Sequence, residues 1–177
     1  VVTEHEPYSR EHLGLRNDAI VLCLASRAIA EKGWLAAADI VQRLNQSGAK
    51  VDLMLLGEGP AADELREKAL PHVYLYGHVS DPQRYMQAAD IGILPSSFIG
   101  ESMPLVLLEM MANGLPIVAT DVGEVPRMIG EGASSAGTIV PLRNGNLDIP
   151  GFQNAIRALM ERERRLAVGS NARSRFE

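Results

Sequence analysis

The segment AIVLCLASRAIAEKGWLAAADIVQRLNQSGAKVDLMLLG, residues 19–57, decides the fold. It begins with an apolar run at 19–25, continues through a helical pattern at 34–45 and ends with a second apolar run at 51–56. Continuous apolar runs, unlike alternating ones, indicate strands that are buried on both faces. Two such strands joined by a helix are typical of a right-handed βαβ unit in a parallel sheet.

The rest of the chain repeats this alternation. Further strands are predicted at 73–76, 91–94, 116–119 and 137–140, and further helices at 60–70, 82–89, 103–113, 152–161 and 161–175. We therefore predict an α/β fold, a Rossmann-like, doubly wound parallel sheet of six strands. A lead-in segment, 1–17, precedes a single core domain, 18–177. Such sheets bind ligands beyond the carboxyl ends of their strands, here the loops 26–33, 57–60, 77–81, 95–103 and 120–124.

Composition narrows the class of protein. The chain has 177 residues, 46% of them hydrophobic, and a net charge of -5. This balance argues against nucleic acid as a partner, because nucleic-acid binders carry a basic face. The single cysteine and the lack of a signal-peptide pattern favour the cytoplasm. The chain also lacks an initiating Met, and we expect it to be a piece of a longer protein.

Two cations lie in the loop after the first strand. Arg27 and Lys32 precede the helix at 34–45, and a helix N-terminus adds a favourable dipole for an anion. Spacing alone leaves two interpretations open, a diphosphate site or two solvated loop cations. The glycine-rich patterns of a Walker A loop and of a dinucleotide fingerprint are missing here.

Two acids flank the start of the helix predicted after the fourth strand. Ser102 is expected to cap this helix, Pro104 to lie in its first turn, and Glu101 to lie just outside it. Glu109 lies inside an apolar stretch, where a carboxylate needs a partner. The acids either contact a ligand or serve as a capping acid and a semi-exposed helical Glu. Their spacing favours the two ends of an extended ligand over a glycosidase pair.

The stretch from Gly100 to Ile129 resembles the signature of retaining, group 1 glycosyltransferases with the two-domain GT-B fold. The resemblance rests on Glu101 and Glu109, on NGLPIVAT at 113–120 and on GEVP at 123–126. It extends to the pairs and short motifs at 26–27, 32–33, 57–60, 77–81, 89–90 and 95–96, and covers about residues 13–176. The family commonly has Gly where this chain has Ser102.

The resemblance implies a role for each matching residue. Arg27 and Lys32 bind the donor diphosphate, and Glu101 holds sugar hydroxyls, so these three form the catalytic set. Glu109 holds the ribose hydroxyls. The remaining donor-binding positions are Val79 and Asp81 at the base and Ser102, Met103, Pro104 and Leu105 at the distal phosphate and sugar, through the backbone amides of Met103 and Leu105.

The resemblance also implies the reaction. A hexosyl group passes from a nucleotide sugar to an acceptor with retained anomeric configuration, without a cofactor or metal. This chain is the C-terminal, donor-binding half, and a separate N-terminal domain holds the sugar or lipid-linked acceptor, as in polysaccharide biosynthesis. We expect the isolated half to be inactive alone and the full-length protein to be cytoplasmic, with peripheral association at the inner face of the membrane left open.

Two other functions fit the same architecture. One is a different enzyme, such as a nucleotide-sugar epimerase or a glycogen-type phosphorylase, although no motif for a pyridoxal-phosphate lysine stands out. The other is a non-catalytic nucleotide-sugar-binding domain. Among the histidines, His5, His12, His72 and His78 show no metal-ligand spacing.

Overall fold

The computed structural model describes residues 6–177 and contains one six-stranded, all-parallel sheet. The strands are β1 (Ile20–Ala25), β2 (Val51–Leu56), β3 (Val73–Leu75), β4 (Ile91–Leu94), β5 (Ile117–Thr120) and β6 (Gly137–Val140). The helices are α1 (Trp34–Gln46), α2 (Pro60–Lys68), α3 (Pro82–Met86), α4 (Leu105–Ala112), α5 (Val125–Ile129), α6 (Ile149–Met160) and α7 (Arg162–Phe176).

The strand order is β3-β2-β1-β4-β5-β6. The chain builds outward from β1 to β3 and then returns to the other side of β1, where β4 pairs with it. The gap between β1 and β4 is the point at which the direction of winding reverses, the usual place for a ligand in a doubly wound sheet. The predicted fold class is confirmed.

Two apolar layers cover the sheet because both faces of its strands are buried. One layer packs α1, α2 and α6 against one face, and the other packs α3, α4 and α5 with the lead-in segment against the opposite face. Gly92 of β4 allows α4 to approach closely, since a Cβ there would lie 2.5 Å from Met110 Sδ. Helix α4 therefore packs directly on the sheet.

Partly buried ion pairs attach the lead-in segment to the amino edge of the sheet. Arg10 donates to Asp90 at 2.7 Å, and Arg16 Nε donates to the fully buried Asp52 at 2.8 Å. Residues 1–5 of the predicted lead-in segment, including His5, lie outside the described residues.

Several elements differ from the prediction. The short helix α5 was not predicted, and neither were the 3-10 turns at Ala30–Lys32 and Gly132–Ser134. Helix α6 begins at Ile149, earlier than the predicted 152, because Asp148 accepts a hydrogen bond from the amide of Gly151 and Pro150 suits a first turn. Helix α4 begins at Leu105 instead of the predicted 103.

Candidate functional site

The site forms where the loops after β1 and β4 meet at the carboxyl edge of the sheet. These loops carry Lys32 and Glu101, and the ammonium of Lys32 donates to Glu101 Oε1 as an ion pair. The Lys32 side chain is 13% exposed and the Glu101 side chain is 6% exposed. Lys32 Nζ also lies 5.2 Å from the ring centroid of Phe98. The two predicted site residues, which are 69 positions apart in sequence, are in direct contact.

The backbone of Glu101 is held by the turn after β5. Its carbonyl oxygen accepts a hydrogen bond from the amide of Glu124 at 2.8 Å. Gly123 lies beside the same carbonyl with φ +51°, and a Cβ at this position would lie 2.0 Å from the Glu101 oxygen. Only glycine fits this conformation and this approach without displacement.

The side chain of Glu101 is held by Ser96. The hydroxyl of Ser96 donates to Glu101 Oε1 at 2.8 Å, and Ser96 itself is fully buried. Thr120 Oγ1 donates to the carbonyl oxygen of Ser96 and so joins the ends of β4 and β5. The functional assignment from sequence omitted Ser96. A polar residue two positions after a buried strand at the winding reversal is the signal that could have identified it.

The loop that carries Lys32 is fixed by the loop after β4. Ser97 N donates to the carbonyl oxygen of Glu31 at 2.8 Å. Gly33 has φ +73°, and a Cβ there would lie 2.0 Å from the carbonyl oxygen of Pro95. The two loops therefore pack backbone against backbone, which places Lys32 next to Glu101 without requiring a long flexible reach.

Arg27 is the exposed cation of the same loop. Within residues 6–177 its guanidinium has no hydrogen-bond or ion-pair partner, although the backbone beside it is fixed. Ala28 N donates to the carbonyl oxygen of Glu58 at 2.8 Å, and Ala61 N donates to that of Ala28 at 2.9 Å. The structure does not bring Arg27 into contact with Lys32 or Glu101, and its diphosphate role stays a prediction.

The predicted cap of α4 is wrong. Pro104 is the N-cap residue itself and precedes the first turn, and no side chain caps the helix. Ser102 is exposed and makes no capping bond. The N-cap is the extended Pro104, and the helix begins at Leu105, so Ser102 lies too far before the first turn to cap it. Met103 and Leu105 are 63% and 67% exposed, and their amides have no acceptor within the described chain. These amides remain available to an anion.

Glu109 is the fifth residue of α4 and is half-buried. Burial raises the pKa of its carboxyl group above the ordinary value. No hydrogen bond or ion pair to its carboxylate occurs among residues 6–177. Burial, and then the charge of Glu109, raise the pKa of the neighbouring Cys23 thiol to about 12. An unpartnered, partly desolvated carboxylate is suited to accept hydrogen bonds from ligand hydroxyls.

Val79 and Asp81 have no hydrogen bond or ion pair to Lys32 or Glu101 among residues 6–177. They line a cleft of about 230 Å³ together with six other residues, Tyr8, Tyr76, His78, Ser80, Arg84 and Tyr85. Asp81 Oδ2 is buried without a hydrogen-bond partner, the one such side-chain oxygen in the described part of the chain. Another cavity, of about 390 Å³, is lined in part by Ser102 and Met103.

Other residues that could carry chemistry are buried in the core. Trp34 is fully buried and donates from Nε1 to Ser26 Oγ at 2.9 Å, so it packs in the core. Cys23 is fully buried in β1 and packs in the core. Across the part of the chain that the structure describes, no cluster of three or more His, Cys, Asp or Glu could hold a metal ion. Metal independence of the reaction stays a prediction.

Comparisons with known proteins show which family the chain resembles. The family described as "Glycosyl transferases group 1" matches residues 18–162. The putative teichuronic acid biosynthesis glycosyltransferase TuaC of Bacillus subtilis is 34% identical over 124 residues, which is 69% of this chain and 30% of that protein. The phosphatidyl-myo-inositol mannosyltransferase of Mycobacterium tuberculosis is 30% identical over 171 residues, which is 92% of this chain and 44% of that protein.

Solved structures share the fold. The Anabaena HepE protein in complex with UDP-glucose superposes with a TM-score of 0.79 at 24% identity, covering 94% of this chain and 46% of HepE. The chain belongs to the group 1 glycosyl transferases, and its fold is that of one Rossmann-like half of a GT-B glycosyltransferase. It spans less than half the length of these two curated relatives.

Proposed function

We propose that this chain is the donor-binding half of a retaining glycosyltransferase that uses a nucleotide sugar. The observation that carries the proposal is the Lys32–Glu101 pair at the point where the sheet reverses its winding, flanked by the free amides of Met103 and Leu105. A cation and free amides suit phosphate, whereas a carboxylate suits hydroxyl groups. A nucleotide sugar presents both kinds of group next to each other.

The diphosphate is assigned to Arg27, Lys32 and the N-terminus of α4. Arg27 offers a planar set of donors, and Lys32 offers two further N–H donors beyond the one bound to Glu101. The α4 dipole adds positive potential at Leu105. Charge that develops on the leaving diphosphate is stabilised by these fixed groups, so no metal ion or other cofactor is expected.

The sugars are assigned to the two acids. Glu101 keeps Oε2 for a hydroxyl group of the transferred hexose, because Oε1 already accepts from Lys32 and Ser96. Glu109 lies further along α4 and accepts from the ribose hydroxyls. The base is assigned to the loop that carries Val79 and Asp81, which borders the cleft described above.

The acceptor is assigned to the part of the protein that this chain does not contain. The names of the relatives refer to phosphatidyl-myo-inositol and to teichuronic acid, a lipid-linked and a polysaccharide context. We propose a sugar or lipid-linked acceptor in a separate N-terminal domain, polysaccharide biosynthesis as the setting and a cytoplasmic protein that associates with the inner face of the membrane. No helix within residues 6–177 is both long and apolar enough to cross a bilayer.

The cation assignment is tested by Arg27→Ala and Lys32→Ala in calorimetric titrations with nucleotide sugars. Each variant should weaken donor binding by about 1.5–3 kcal/mol, the usual range for a charged hydrogen bond. Lys50→Ala is the matched control, because Lys50 pairs with Asp18 on the exposed surface before β2. Unchanged affinity in both site variants contradicts the diphosphate assignment. NMR of the product formed by the full-length protein tests retention at the anomeric carbon.

A further inference from the structure

The two carboxylate oxygens of Glu101 have different surroundings. Oε1 accepts from the Lys32 ammonium and from the Ser96 hydroxyl. Oε2 accepts no hydrogen bond from residues 6–177, yet it is not one of the inaccessible oxygens. One oxygen is therefore fixed by the protein, and the other is left for a ligand.

Ser96 is itself held in place by contacts within the protein. It is fully buried at the end of β4, and its hydroxyl oxygen accepts from the amide of Phe98 at 3.2 Å. Its single proton has two acceptors in reach, Glu101 Oε1 at 2.8 Å and the carbonyl oxygen of Glu31 at 3.2 Å. The carboxylate is closer and charged, so it is the stronger acceptor.

The two groups that donate to Glu101, the Lys32 ammonium and the Ser96 hydroxyl, differ in whether they also contact the diphosphate. Lys32 is assigned to both Glu101 and the diphosphate, so its ammonium is shared between two anions. Ser96 lies in the core and has no contact with an anion site. Its bond to Oε1 is therefore not shared with the diphosphate.

We infer that Ser96 is a positioning residue, whose hydroxyl holds Oε1 so that Oε2 faces a hydroxyl group of the donor sugar. The inference rests on the proposed function, since it assigns Glu101 to the hexose. Ser96 acts through Glu101 and touches no ligand. Replacing Ser96 should therefore weaken binding of the sugar part of the donor but not binding of the diphosphate part.

The test compares nucleotide sugars with their nucleoside diphosphates by calorimetry on the full 177-residue chain. The probes are UDP with UDP-glucose and GDP with GDP-mannose, and the pair that the wild-type chain binds is used throughout. Ser96→Ala should weaken binding of the nucleotide sugar about tenfold, the loss of one charged hydrogen bond. Binding of the nucleoside diphosphate should stay within about twofold.

Ser97→Ala is the matched control. The Ser97 hydroxyl lies 3.5 Å from the carbonyl oxygen of Glu31 and makes no contact with Glu101, so this variant should bind both ligands as the wild type does. In a Glu101→Gln background, Ser96→Ala should cause no further loss, because the two residues act as one unit. Ser96→Cys keeps nearly the same volume but is a weak donor, and it should give the pattern of Ser96→Ala if the alanine variant does not fold.

Three outcomes overturn the inference, and they are distinguishable. Equal weakening of both ligands assigns Ser96 a purely structural role. Unchanged affinity for both ligands in both Ser96 variants removes the positioning role but leaves the donor-binding function intact. A folded wild-type chain that binds neither these four probes nor ADP and its common sugar conjugates overturns the proposed function, and the positioning role with it.

Discussion

Replacing Gly123 by alanine should displace Glu101 without touching its side chain. The new Cβ would lie 2.0 Å from the backbone oxygen of Glu101 and 2.7 Å from its carbonyl carbon. Such a contact is about 1 Å shorter than Cβ atoms tolerate, so one of the two loops has to move by about that distance. The hydrogen bond from Glu124 N to the same oxygen is broken by this movement.

The free-energy cost of Gly123→Ala has two parts, and a control variant separates them. Alanine with positive φ costs about 1–2 kcal/mol at any position. Gly145 has φ +76°, and no atom lies within 4 Å of the place that a Cβ would take there, so Gly145→Ala carries this first part alone. Gly123→Ala adds overpacking and a lost hydrogen bond, about 2–3 kcal/mol more. For a chain of this size the extra cost lowers the melting temperature by about 4–12 °C relative to Gly145→Ala.

Thermal unfolding followed by circular dichroism measures the difference between the two variants. Calorimetry below the melting temperature should also show nucleotide-sugar binding about tenfold weaker in Gly123→Ala and unchanged in Gly145→Ala, because a shift of about 1 Å misplaces the carboxylate. Equal melting temperatures in the two variants, or normal sugar binding by Gly123→Ala, would refute the reasoning that the turn after β5 holds Glu101.

Further predictions concern burial. Glu109→Gln should raise the melting temperature at pH 7 and weaken donor binding, because burial raises the pKa of Glu109 and disfavours its ionised form. This gain in melting temperature should disappear below about pH 4.5, where the acid is protonated in both the folded and the unfolded state. The control is Glu67→Gln on the exposed face of α2, which should change neither the melting temperature nor donor binding. Gly169→Ala should destabilise the chain by about 1–3 kcal/mol in urea unfolding, since its Cβ would lie 2.4 Å from a backbone oxygen after α4; the exposed Ser170→Ala should not. Cys23, whose pKa is raised to about 12, should react with a thiol reagent only as fast as the chain unfolds.

The fold was predictable because strands buried on both faces leave continuous apolar runs. All six strands were predicted within one or two residues, and their parallel arrangement followed from the helices between them. The strand order could not be predicted from hydrophobic periodicity, because it depends on which strand edges pair. Helix α5 was missed because its five residues are too short to show a helical period.

The site was predictable in its residues but not in its contacts. Motif positions identified Lys32 and Glu101, whereas their ion pair depends on β1 lying beside β4. Ser102 was wrongly expected to cap α4, because sequence alone does not show that Pro104 stays extended. Ser96 was missed as a functional residue, since its role becomes visible only when its hydroxyl is found next to Glu101.

The most direct test of the central claim is calorimetric titration of the wild-type chain with UDP, GDP and ADP and with their common sugar conjugates, with and without EDTA. The account predicts saturable binding of one nucleotide, tighter binding of one of its sugar conjugates and no effect of EDTA. Failure of a folded sample to bind any of these ligands would contradict the assignment of this chain as a donor-binding domain, and binding abolished by EDTA would contradict the metal-free site.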